Sequence, residues 1–131
     1  MKKTHRVFEI SRGGGKHKVN LTLALVGEDV VAIVCGGEKP HVGAISVAIP
    51  RPSLRDPKKL SCTSSVFTLI GHKDDEVARP ASEEFARELN RVAVVSAGIH
   101  VEKASEEDIQ KLMRNAKNAV RDAIRILKSK H

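Results

Sequence analysis

A chain of 131 residues, 40% apolar and 30% charged, fits one compact domain over residues 1–131 and excludes both a disordered segment and a two-domain protein. The formal charge of +7 invites nucleic acid, yet there is no Trp or Tyr, and Phe8, Phe67 and Phe85 are the only aromatic rings besides histidine, so a base-stacking platform has almost nothing to stack with. No apolar run approaches the roughly 18 residues that a membrane helix needs.

The basic start Met1-Lys2-Lys3-Thr4-His5-Arg6 leads into an alternating segment rather than an unbroken apolar one, so no signal peptide and a cytoplasmic location are expected. Residues 4–11 read as a first strand, closed by Gly13-Gly14-Gly15. Val19, Leu21, Leu23 and Leu25 alternate with Asn20, Thr22 and Ala24, the period of a half-buried strand. Val30-Val31-Ala32-Ile33-Val34-Cys35 is apolar throughout and reads as a central strand. Ile45, Val47 and Ile49 share one face of a fourth strand, after which Pro50, Pro52 and Pro57 mark a surface loop through Lys59. Leu60 to Ile70 is a fifth strand.

Asp74 or Asp75 is a natural N-cap for a helix carrying Val77, Ala81, Phe85 and Leu89 at i, i+4 spacing. Pro80 either kinks that helix or restarts it. Arg91 to Val101 is a sixth strand. Ser105-Glu106-Glu107-Asp108 is a capping-box signature, followed by a helical stripe of Ile109, Leu112, Met113, Ala116, Val120, Ala123, Ile124 and Leu127. The expected fold is α+β: a mostly antiparallel sheet of about six strands with two helices on one face. Cys35 and Cys62 belong to no CxxC pair and are expected as buried small hydrophobes.

Three turns carry the chemistry. Gly36-Gly37-Glu38-Lys39-Pro40-His41-Val42-Gly43 combines close backbone approach with Glu38, Lys39 and His41. Gly71-His72-Lys73-Asp74-Asp75 gathers a base, a cation and two carboxylates at a helix N-terminus, where an anion can dock on free N–H groups. Alternatively, His72, Asp74 and Asp75 form a ligand set for a divalent metal. Gly98-Ile99-His100-Val101-Glu102 ends the sixth strand, with Glu102 following His100 on the same face. His41, His72 and His100 all sit at strand ends, and a common sheet edge would bring them together. Gly13-Gly14-Gly15-Lys16 lacks the Ser/Thr and the following helix of a phosphate loop and reads as a hairpin. Lys111, Arg114, Lys117, Arg121, Arg125 and Lys128, opposite the apolar stripe, read as a solvated face.

In these three motifs, and in their order and spacing from about Thr4 to the last helix, the sequence resembles the prenylated-flavin chaperones typified by the small D subunit of gallate decarboxylase. The resemblance implies a fold similar to small proteasome-assembly chaperones. It implies a non-catalytic, homo-oligomeric carrier that binds prenylated FMN or FMN and assists a UbiD-like decarboxylase subunit. The implied flavin-binding residues are Glu38, Lys39, His41, Gly71, His72, Lys73, Gly98 and His100. A metal-dependent hydrolase or phosphatase and a phosphate-backbone RNA binder are the other readings the residues allow.

Overall fold

The computed structural model describes residues 5–69 and 73–129. Six strands, β1 (His5–Arg12), β2 (Val19–Val26), β3 (Asp29–Gly37), β4 (Ala44–Pro52), β5 (Leu60–Thr68) and β6 (Ala93–His100), form one sheet in the order β1-β2-β3-β6-β4-β5. Helix α1 (Asp75–Leu89) precedes β6 and α2 (Glu106–Ser129) follows it. Every neighbouring pair is antiparallel except β3 and β6. The sheet is therefore mixed and mostly antiparallel.

Both helices pack on one face. There the alternating residues of β2 (Val19, Leu21, Leu23, Leu25) meet Val30, Ala32 and Val34 of β3 and Val95 of β6. The stripes of the helices close this core: Val77, Ala81 and Phe85 from α1, and Leu112, Ala116, Val120, Ala123, Ile124 and Leu127 from α2. Ile109, expected in that stripe, is 45% exposed. Helix α1 runs through Pro80 without a break. Pro50 and Pro52 lie inside β4 rather than in the loop after it. Beyond Ala48 that strand pairs only with β5, and an edge position tolerates a residue without an N–H.

The α2 capping box is formed, with Ser105 N–H donating to Asp108 Oδ2 and Asp108 N–H to Ser105 Oγ, each at 3.0 Å. At α1, Asp74 holds the N-cap position but makes no side-chain cap bond. Cys35 and Cys62 are half-buried rather than buried, because Cys35 looks onto the sheet face that no helix covers. Burial pushes the Cys35 thiol pKa up, away from a reactive thiolate.

Candidate functional site

Parallel strands β3 and β6 end at one edge of the sheet, at Gly37 and His100. Chains leaving the carboxyl ends of parallel strands open a crevice where ligands collect. Here the segment after β3 folds back along β6. Glu38 and Lys39 N–H donate to the His100 carbonyl at 2.7 and 3.2 Å, and Gly43 N–H to that of Ala97 at 2.9 Å. Two glycines allow the approach. A Cβ on Gly98 would strike the His41 carbonyl, and one on Gly43 would strike the Asp74 carboxylate.

His41 reaches from this segment to the start of α1. Its Nδ1 lies 2.9 Å from the Lys39 carbonyl and its Nε2 2.9 Å from Asp74 Oδ2. The Lys39 carbonyl is an acceptor, so the Nδ1 contact is a hydrogen bond when Nδ1 carries the ring proton, and the Nε2 contact when Nε2 or the carboxyl carries one. The other oxygen of the buried Asp74 accepts the Ile99 N–H at 3.0 Å. Asp74 thus fastens α1, β6 and the β3–β4 connection at one point, which explains why its side chain does not cap the helix.

The His100 ring lies edge-on to that of His41, with centroids 6.4 Å apart. Its Nε2 is 3.1 Å from Glu102 Oε2, and Lys39 Nζ is 3.5 Å from the same oxygen. Hydrogen bonding from His100, then the charge of Lys39, holds the Glu102 carboxyl below the usual carboxylate range. Glu38 faces the other way and accepts the Glu102 N–H at 2.9 Å.

Beside this network opens a cavity of about 400 Å³. Its polar rim is Lys73, Asp74, Glu76 and His100, and its walls are Val77, Ile99, Val101, Ile109, Leu112 and Met113. A second cavity of about 390 Å³ continues between α1 and α2, sharing Glu76, Val77 and Met113 with the first.

The structure therefore brings Glu38, Lys39, His41, Gly98 and His100 together at one sheet end, with Lys73 on the cavity rim. Only Lys73 and His100 of that set line the cavity; His41 stands behind it, locked to Asp74. Gly71 and His72 lie outside the described residues. Among the described residues no group of three His, Cys, Asp or Glu could hold a metal ion, and both Asp74 oxygens are already engaged. The Asp74–Asp75 metal reading therefore gains no support here. Sequence reasoning named Gly43 as a glycine of close approach but not Asp74 as what it makes room for, a tertiary collision, and it missed the apolar walls, whose residues read as ordinary helix stripe and strand. On α2, Lys111, Arg121, Arg125 and Lys128 are each within 4 Å of a carboxylate, as a solvated face requires.

Residues 13–128 match the family described as the prenylated flavin chaperone LpdD-like domain. No curated protein matches the sequence. Among solved structures, a chain of a chaperone complex for yeast 20S proteasome assembly is similar, with a TM-score of 0.60 at 14% identity, covering 97% of this chain and 98% of that one. At that identity the likeness shows the fold alone. The family match spans most of the chain, and the protein belongs to the LpdD-like prenylated flavin chaperone family.

Proposed function

We infer that this protein is a non-catalytic carrier of prenylated FMN that delivers it to a UbiD-like decarboxylase, and that the cavity at the end of β3 and β6 is where the flavin sits. The observation that carries the reading is an apolar cavity whose rim sets Lys73 and His100, beside Asp74 and Glu76, at the start of α1. A flavin phosphate has close to two negative charges and calls for donors. Lys73, His100 and the start of α1 supply them. Both Asp74 oxygens are already engaged, by His41 Nε2 and by the Ile99 N–H.

The walls suit a fused ring system carrying an added isoprenoid ring. The volume lies within the range of small-ligand sites. With no Tyr or Trp available, Met113 and the branched side chains take the role of ring contact. The network of His41, Asp74, Glu38 and Glu102 fixes the rim, of which Asp74 is itself a part. Among the described residues of this site no nucleophile is paired with a base, which favours carriage over turnover.

Anaerobic titration of the purified protein with prenylated FMN, followed by mixing with an apo-decarboxylase of the UbiD-like class, tests the reading. Saturable binding and faster activation of the apo-enzyme are expected. Activation at the rate of free cofactor would refute the delivery role, and absence of binding would refute the site.

A further inference from the structure

The cations of α2 divide into two kinds. Lys111, Arg121, Arg125 and Lys128 each face a carboxylate within 4 Å. Arg114 and Lys117 are exposed and have no carboxylate that close among the described residues. Three positions apart, they share a side of the helix, and both stand on the lip of the cavity between α1 and α2. The floor of that groove is apolar: Val77, Pro80 and Ala81 from α1 face Met113, Ala116 and Val120 from α2. The opposite lip is Glu76 and Glu84, and Arg121 already lies 3.8 Å from Glu84.

We propose, resting on the carrier role above, that the enzyme receiving the flavin docks in this groove by seating an apolar segment with acidic side chains toward α2. The chemistry of the groove selects that occupant. An apolar floor with a charged lip is the anatomy of a protein interface, whereas a nucleic-acid backbone would use the cations and leave the floor bare. Unlike the four paired cations, Arg114 and Lys117 can meet a partner's carboxylates without first giving up one of their own. The net charge of +7 draws an acidic surface toward the chain. Position fits the role as well. The groove shares Glu76, Val77 and Met113 with the flavin cavity, so a segment seated in it lies directly beside the cargo. Its two ridges, at i, i+3, i+4 on α1 and i, i+3, i+7 on α2, suit an amphipathic helix laid between them.

Binding of the flavin-loaded protein to an immobilised apo-decarboxylase of the UbiD-like class, measured at increasing salt, tests the docking site. Arg114→Glu combined with Lys117→Glu should weaken association at least about tenfold and flatten its salt dependence. Pro80→Glu, which sets a carboxylate on the exposed part of the groove floor, should weaken it comparably. Arg125→Glu combined with Lys128→Glu makes the same change in net charge farther along α2 and should alter affinity by less than about threefold. All three variants should keep the far-UV circular dichroism spectrum and the flavin affinity of the native protein, because none of these residues lines the flavin cavity. No association of the native protein, or equal losses from the two double variants, would contradict the docking site, while flavin titration of the native protein tests carriage separately. A loss of flavin affinity in the Arg114 and Lys117 double variant would also contradict it, by giving the groove to the flavin.

Discussion

The two helices begin with the same pair of residue types and use them differently. At α2, Asp108 sits 2.7 Å from His17 Nε2 and still accepts the Ser105 N–H, so the pair belongs to the helix cap. At α1, Asp74 sits 2.9 Å from His41 Nε2, accepts an N–H from β6, and leaves its own helix without a side-chain cap. Each arrangement depends on a glycine: Gly13 gives way to Asn115, which donates to the His17 carbonyl, and Gly43 gives way to Asp74. The difference bears on the proposed flavin site. One His–Asp pair closes a helix end; the other ties three elements together and keeps a helix start beside a cavity.

The sharpest way to break the contrast is steric. Gly98→Ala drives a methyl into the His41 carbonyl, which is backbone and cannot swing aside. We expect a loss of about 3 kcal/mol in urea unfolding, the upper range for overpacking. Gly14→Ala, with open space around it, should change stability by less than about 0.5 kcal/mol. Equal effects at the two glycines would show that the β3–β4 connection is not held as described.

Next comes the carboxylate at α1. Asp74→Ala leaves the Ile99 N–H without its acceptor, for which we expect about 2 kcal/mol of destabilisation. It also releases His41, so flavin affinity should fall together with stability. Ser105→Ala at the other helix should cost about 1 kcal/mol and leave flavin affinity unchanged. If Ser105→Ala weakens flavin binding as much as Asp74→Ala, the two helix starts are not functionally distinct.

The smallest effect is one of pH. Hydrogen bonds from the Ser105 backbone, then His17, hold the Asp108 carboxyl well below the usual carboxylate range. A carboxyl whose folded pKa is depressed contributes stability fully above its unfolded pKa, near 3.9, and loses it as pH falls toward the folded value. Melting temperature should therefore drop on acidification below about pH 4, and Asp108→Asn should flatten that part of the curve. An unchanged slope in the variant would remove Asp108 from the account of the cap.

Much of this was readable from local pattern. The alternation of Val19 to Leu25, the stripe from Leu112 to Leu127 and the Ser105–Asp108 box each state their structure within a few residues, and each formed. The turn at Glu38 to His41 and the end of β6 at His100 were visible as glycine-flanked polar clusters, and they do meet. What stayed hidden depends on distant partners. The insertion of β6 between β3 and β4, and its parallel pairing with β3, leaves no mark in either strand. Asp74 looked like a cap because its real partners, His41 and Ile99, lie 33 and 25 residues away. Ile45, Val47 and Ile49 showed which residues share a face, but not that this face is the uncovered one.

The central claim is that the cavity beside Lys73 and His100 takes a flavin by its phosphate. Comparing FMN with riboflavin in fluorescence titrations of the native protein and of Lys73→Ala tests it most directly. The account predicts that FMN binds the native protein at least about tenfold more tightly than riboflavin, and that Lys73→Ala removes most of this preference while leaving riboflavin affinity nearly unchanged. Equal affinity for the two ligands in the native protein, or a preference for FMN untouched by Lys73→Ala, would contradict it.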